Sequence, residues 1–355
     1  VPFTIVSLII GIAAMITSAV TNPALSWQAH FLRFAQVMVV ASPCPLLIAA
    51  PVAMVSGMSS MSRSHIIVKS GTTLEKLSRT LTFAFDKTGT LTENQLVIDQ
   101  VVLPENSSIS KEELQSLAAS VEQQSSHVIA TSLVKSTDKN LIKPVTNLKE
   151  ATAKGVSGEV DGKLVKVGKL SYVDPDQEKI TINSTAVFVS IDNKFAGYIT
   201  FQDQMRENTP ETISRLRRQG IKQIMMLTGD RRAVADKVAK EAGIKESEVH
   251  ADLLPAQKIQ AIRDVKPDLR PVAMVGDGVN DAPSLMAADV GIAMGAKGAT
   301  AASESADAVI MVNDISKVND AVAISKHTMK VAHVDIITAI CIVILIELIA
   351  FTGII

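Results

Sequence analysis

A chain of 355 residues has room for two to three domains and a sizeable core. Hydrophobic residues make up 47% and mean hydropathy is +0.27, yet the charges concentrate between Arg63 and Lys330, so the two ends read as lipid-embedded. A formal net charge of -1, without a Lys/Arg run or aromatic-basic interleaving, excludes nucleic acid as a partner; Cys44 and Cys341 both fall in apolar segments and exclude a disulfide framework.

In chain order, the apolar stretch Phe3 to Val20 comes first. It lacks a basic n-region and a clear small-residue cleavage site, which argues for a membrane span over a removable signal. Phe34 to Met61 and Ile336 to Ile355 are the other segments long enough to span, since a helix needs about 20 apolar residues to cross. Arg63 and Lys69 follow the second span and Lys326 and Lys330 precede the third, which places the intervening soluble region in the cytoplasm of a multi-pass plasma-membrane protein. Three is an odd number of spans, and both ends are apolar, so the chain is expected to be a fragment.

Inside the second span, Ser42-Pro43-Cys44-Pro45 carries two prolines that remove amide donors and leave the carbonyls of Val39 and Ala41 without helical partners. Such a break costs about 3 kcal/mol or more per proline. Irregular backbone at membrane depth is tolerated where it lines a cavity, and transporters build ion sites there. A thiolate at Cys44 selects transition metals over sodium, potassium or calcium. The bland alternative is a proline kink with a buried cysteine.

The run Leu81 to Phe85 then reads as a buried strand delivering Asp86 at its C-terminal tip. Two later runs behave alike: Gln223 to Leu227 ends at Thr228-Gly229-Asp230, and Val272 to Val275 ends at Gly276-Asp277-Gly278, with a helical pattern over Arg231 to Ala242. This alternation predicts a doubly wound parallel sheet over residues 62–100 and 201–320. Between them, residues 101–200 form an inserted α+β domain: Ser110 and Glu113 make a capping box, and Asp161-Gly162 and Asp192-Asn193 are hairpin turns. Residues 1–61 and 321–355 hold the spans.

Polar clusters at the tips of parallel strands converge. Asp86, within Asp86-Lys87-Thr88-Gly89-Thr90-Leu91-Thr92, is placed to take a phosphoryl group as a carboxylate nucleophile. Asp277 and Asp281 would hold magnesium, which prefers oxygen ligands shared with phosphate, while Thr228 and Lys258 would neutralise phosphoryl oxygens. Taken singly, Asp86 could be a helix-capping aspartate and the glycines ordinary turns, but three matched clusters in order exceed that reading.

Jointly, Asp86 to Thr92, Thr228 to Asp230 and Gly276 to Pro283 resemble the signatures of P-type ATPases, in particular the heavy-metal-translocating branch. The resemblance implies a fold of haloacid-dehalogenase type, ATP as substrate and Mg2+ as cofactor. It also implies phosphorylation of Asp86, magnesium held by Asp86, the Thr88 carbonyl, Asp277 and Asp281, and roles for Lys87 and Asn280 at the site. Asp203 and Arg206 resemble the hinge that returns from the nucleotide domain and, with Asn280, are expected among the nucleotide-binding residues. His127, Gly155 and Gly158, with Gly229 and Asp230, resemble nucleotide-binding residues, although Ser126, Val128 and Ala153 depart from the usual pattern. The branch usually carries Cys-Pro-Cys in the membrane; here Ser42 replaces the first cysteine. With one thiol, zinc, cobalt, cadmium, iron or manganese is expected over monovalent copper. Glu347, the single charged residue inside the third span, is ranked above Cys341 as a further ligand, with Cys44 and its metal as partner; the alternative is a protonated or snorkelling carboxyl. The pump is expected to work as a monomer in the bilayer, with its actuator domain and further spans outside this chain.

Two rivals stay open. A phosphatase of haloacid-dehalogenase type shares the sheet but usually carries a second Asp at the position of Thr88, to act as general acid and base. A metal-sensing remnant that does not pump is the other.

Overall fold

The computed structural model describes residues 2–42, 44–175, 182, 184–277, 281–295 and 304–352, with the side chains of residues 2, 3 and 44–46 outside the described set. Three helices open the chain: α1 (Pro2–Thr21), α2 (Trp27–Val40) and α3 (Cys44–Arg63). The sequence pattern predicted one span over Phe34 to Met61, and the structure divides it instead. Helix α2 ends at Val40, Ala41 caps it, and the Ser42 N–H falls back on the Val39 carbonyl at 3.2 Å. Val39 therefore keeps a partner that the proline argument denied it. Pro43 itself lies outside the described residues. Two described helices, over Thr4–Thr21 and Lys317–Thr352, are long and apolar enough to cross a membrane.

The soluble region is built on a sheet of order β1-β13-β12-β11-β2-β9-β10. Its strands are β1 (Ile66–Val68), β2 (Thr82–Asp86), β9 (Gln223–Leu227), β10 (Val249–His250), β11 (Val272–Gly276), β12 (Val290–Met294) and β13 (Ala308–Ile310). All pair in parallel except β1, which runs antiparallel to β13 at the edge. Strand β2 is buried throughout, as a central parallel strand covered on both faces must be. Its side chains alternate between two cores. Phe83 and Phe85 pack with Leu74 and Leu77 of α4 (Gly71–Arg79), with Ile213 and Leu216 of α8 (Thr209–Arg218) and with Val318, Ala321 and Val322 of the last helix, α12 (Lys317–Thr352). Ala84 faces the other way, toward Ile262 of α10 (Pro255–Arg263) and Leu285 of α11 (Ala282–Ala287). The strand that bears Asp86 thus shares a core with the foot of a membrane helix. Helix α12 continues for 36 residues, about 54 Å. It lies so close to α3 that a Cβ on Gly57 would fall on the Thr328 side chain.

The insert has its own core and its own antiparallel sheet, of order β3-β8-β7-β6-β5-β4. These strands are β3 (Thr92–Val102), β4 (Thr146–Ala151), β5 (Gly155–Val160), β6 (Lys163–Gly168), β7 (Thr185–Ile191) and β8 (Lys194–Met205). The predicted turns are present: Asp161 and Gly162 both have positive φ between β5 and β6, and Asp192 and Asn193 do so between β7 and β8. Both are the mirror-image turns that match strand twist. Ser110 accepts the Glu113 N–H at 3.1 Å at the head of α5 (Lys111–Glu122), as the capping pattern predicts.

Candidate active site

Register alone brings the polar clusters together. Asp86 is level with Leu227 and Phe85 with Val275, so Thr228 and Asp277 emerge beside Asp86 on either side. Asp86 is buried, 5% exposed, at the end of an apolar strand, and the chain then turns sharply through Lys87–Leu91. The turn depends on Gly89, whose φ of +73° is left-handed and whose missing side chain leaves room for Asp277, with Oδ2 3.3 Å from where a Cβ would sit.

Lys258, on α10, reaches across the strand ends. Its Nζ donates to Asp86 Oδ1 and, at 3.2 Å, to Asp281 Oδ1. Burial lifts the Asp86 carboxyl, Asp281 and Asp277 lift it further, Lys258 opposes them, and the outcome is a pKa of about 6. Asp281 is raised for the same reasons, burial first. Burial works against the Lys258 ammonium, but the Asp86 and Asp281 carboxylates outweigh it and hold its pKa up. Three carboxylates around one ammonium leave local negative charge that a divalent cation would offset. No three Asp, Glu, His or Cys groups among the described residues form a ready-made metal centre. Magnesium is held by one or two carboxylates plus phosphate and water and not by an all-protein cage, and the Asp86 and Asp281 carboxylates gathered on Lys258 offer such oxygens. The donor set therefore fits Mg2+.

The rest of the predicted set divides. Lys87, expected beside the phosphate, is buried and pairs with Asp230 at 2.7 Å, with Asp203 at 3.8 Å. Asp203 lies 2.5 Å from Thr92 Oγ1, which accepts the Gly89 N–H at 3.3 Å. Arg206 donates from Nη2 to the Gly89 carbonyl at 2.9 Å and from Nε to the Thr90 carbonyl at 2.8 Å. The hinge residues assigned to nucleotide binding thus clamp the Asp86 loop in this structure. Thr228 is buried, with its Oγ1 accepting the Asp230 N–H at 3.1 Å, and a Cβ on Gly229 would meet the Leu253 carbonyl at 3.2 Å. Thr88 is exposed at the turn, and Asn280 lies outside the described residues.

In the insert, His127 lies beyond the capped helix. Helix α5 stops at Glu122, and His127 is the exposed N-cap of α6 (Val128–Lys135), its Nδ1 accepting the Ile129 N–H at 3.3 Å. Gly155 and Gly158, expected to open the backbone to nucleotide, also stand where packing leaves no room for a side chain. A Cβ on Gly155, at φ +157°, would strike the Val167 carbonyl and Gly168, and one on Gly158 would strike Val145. Glu122 went unnoticed in the sequence. It is buried, and burial first, then Glu150, lift its carboxyl to about 7 against a hydrogen bond from Ser125. Its signal was legible, since it sits beside the apolar stripe Leu114, Leu117, Ala118 and Val121.

In the membrane segments, Glu347 is 1% exposed and accepts a hydrogen bond from Ser7 Oγ on α1 at 2.6 Å. The partner named from sequence was Cys44, whose side chain is outside the described set; the partner found is Ser7, which had no signal among apolar neighbours. Ser42 stands at the break after α2.

The model of the haloacid dehalogenase-like hydrolase family matches residues 80–289, which spans β2 through α11 and includes Asp86, Lys258 and Asp281. The chain belongs to that family. Over nearly its whole length its relatives are metal-transporting ATPases. It is 35% identical over 347 residues to a cadmium-transporting ATPase of Staphylococcus aureus, covering 92% of this chain and 47% of the relative. It is 37% identical over 314 residues to a chloroplastic copper-transporting ATPase of Arabidopsis thaliana, covering 83% and 33%. Among solved structures, a zinc-transporting PIB-type ATPase in an E2.Pi state superposes with a TM-score of 0.83 at 28% identity, covering 99% of this chain and 58% of that one. The chain spans half or less of these curated relatives. The predicted fold, a sheet domain of haloacid-dehalogenase type interrupted by an α+β insert and flanked by apolar helices, agrees with these likenesses.

Proposed function

We propose that the protein uses ATP to drive a divalent transition-metal ion out across a membrane through an aspartyl-phosphate on Asp86. The observation that carries this is the Lys258 bridge between Asp86 and Asp281 at three strand tips, combined with Thr88 where related phosphatases place a second aspartate. Asp86 attacks the γ-phosphorus of ATP: an Oδ–P bond forms, the bond to the β,γ-bridging oxygen breaks, and ADP leaves with that electron pair. The nucleophile must be ionised, and a pKa of about 6 leaves it so at neutral pH despite burial. Lys258, already between two carboxylates, shifts its hydrogen bonds to the transferred phosphoryl group and neutralises charge there. Magnesium, when held by Asp86, Asp277 and the Thr88 carbonyl with Asp281 behind them, supplies charge neutralisation of the phosphate oxygens. Arg206 and Asp203 keep the loop in register.

Thr88 offers no carboxylate to activate water, so the acyl-phosphate persists long enough to drive a conformational change. Its path to the membrane is the shared core under Phe83 and Phe85, which holds the foot of α12, and the tight contact of α12 with α3. Ser42, Cys44 and Glu347 are the residues assigned to the transported ion. One thiol with oxygen ligands favours zinc, cobalt, cadmium, iron or manganese over monovalent copper; relatives named for cadmium and for copper match this chain at nearly equal identity, so the donor set and not the likeness carries this choice. His127 is assigned to the nucleotide, and the complete protein is read as a monomer with the soluble domains in the cytoplasm.

The test supplies labelled ATP and each metal in turn to the full-length protein and to Cys44→Ala. A trapped phosphoprotein stimulated by one of these metals, with stimulation lost in the variant, supports the pump. Free phosphate without a trapped intermediate points to a phosphatase, and phosphorylation indifferent to every metal points to a remnant.

A further inference from the structure

Glu347 is a carboxylate inside an apolar helix, and the structure shows how it is held. Ser7 and Glu347 lie 340 residues apart, on α1 and α12, and both are almost fully excluded from solvent, at 2% and 1%. The Ser7 hydroxyl donates to one carboxylate oxygen, Oε1, at 2.6 Å. No lysine, arginine or histidine among the described residues forms an ion pair with Glu347. One turn beyond it, Ala350 is buried with Ala14 of α1 and Val37 of α2, and Val40 packs against the same cluster two residues before Ser42. Glu347 therefore stands within about a helical turn of the depth of the α2–α3 break.

From this arrangement we infer that Ser7 is a positioning residue for the transport site: it holds Oε1 and leaves Oε2 as the oxygen that meets the ion. This rests on the assignment of Glu347 as a ligand made above. A carboxylate bound through one oxygen suits an ion of low coordination number such as zinc or cobalt, which takes four ligands at short distances. A larger ion gains from bidentate binding, for which both oxygens must be free. Ser7 therefore contributes selectivity as well as affinity. Hydrogen-bond partners of ligating groups usually account for 10- to 100-fold in metal affinity or activity.

The experiment measures metal-stimulated phosphorylation of full-length protein in lipid vesicles, with zinc and cadmium titrated separately, for the native protein, Ser7→Ala, Ser7→Thr and Glu347→Gln. Ser7→Ala should raise the half-stimulating zinc concentration by about 10- to 100-fold, with less of the effect in the plateau, and should shift the zinc-to-cadmium ratio toward cadmium. Ser7→Thr, which keeps the hydroxyl, should return the zinc value to within about threefold of native. Ser7→Ala added to Glu347→Gln should do no further harm. If Glu347→Gln weakens zinc stimulation while Ser7→Ala changes neither the zinc value nor the metal ratio, the role of Ser7 is overturned and Glu347 stands. If Ser7→Ala and Ser7→Thr weaken stimulation equally, packing and not the hydroxyl is responsible, which also overturns it. If Glu347→Gln itself leaves stimulation unchanged, the ligand assignment fails and takes this inference with it.

Discussion

Replacing Lys258 with methionine keeps much of the side-chain volume and removes the one ammonium that touches Asp86 and Asp281. In the native protein an Asp86 pKa of about 6 leaves about nine-tenths of the carboxyl ionised at pH 7. Lys258 opposes that rise through both its charge and its hydrogen bond. An opposite charge at this range is worth about one to three pKa units, so in Lys258→Met the ionised fraction at pH 7 falls to between about one half and about one in a hundred. Loss of the donor to the transferred phosphoryl adds a further factor of about 10² to 10³. Rapid-quench measurement of acid-stable phosphoprotein from labelled ATP between pH 6 and 8.5 reads both effects. The variant should be at least about 100-fold slow at pH 7, with a larger deficit at pH 6 than at pH 8, because the pKa moves upward. A deficit below threefold, or one independent of pH, would refute the role given to Lys258.

Other changes test other parts of the molecule. Glu122 carries a folded-state pKa of about 7 against an ordinary 4.5, so the folded form holds its proton more tightly and stability falls as pH rises from about 4.5 through about 7, by at most about 3 kcal/mol. Glu122→Gln should accordingly raise the thermal midpoint of the nucleotide domain at pH 8 and give no gain near pH 4.5; equal effects at both would contradict the burial argument. Thr88→Asp restores the carboxylate that phosphatases place there, and should shorten the phosphoenzyme lifetime by about 10² to 10⁴ in a chase with unlabelled ATP. Arg206→Lys cannot reproduce the fork onto the Gly89 and Thr90 carbonyls, and leaving one unpaired should cost about 1–3 kcal/mol in urea unfolding and slow phosphorylation as the loop loosens.

What could be read in the sequence followed from periodicity and spacing. The apolar run Leu81 to Phe85, with Asp86 at its end, gave a buried strand and a carboxylate at its tip, because a central parallel strand has two apolar faces and one open end. Asp161-Gly162 and Asp192-Asn193 gave their hairpins because few other pairs tolerate two positive φ values in succession. What escaped it depended on three-dimensional neighbours. Nothing local distinguishes Ser7 from a packing serine, and its partner lies at the far end of the chain. Gly155 and Gly158 match a binding motif in the sequence, but the strand neighbours that leave them no room for a side chain are visible only in the fold. Arg206 resembled a nucleotide contact, yet its fork finds loop carbonyls that only the return of β8 brings near. The split of the second span at Ser42 was visible as a proline break but not as two helices, since helix-breaking power does not tell where the chain resumes.

The measurement that bears most directly on the central claim is the location of the phosphate. Full-length protein incubated briefly with γ-labelled ATP, magnesium and zinc, then acid-quenched, should carry one acid-stable, hydroxylamine-labile label on the peptide containing Asp86, and Asp86→Asn should carry none. Label that survives in Asp86→Asn, or native protein that releases phosphate without ever holding it, would contradict an aspartyl-phosphate pump.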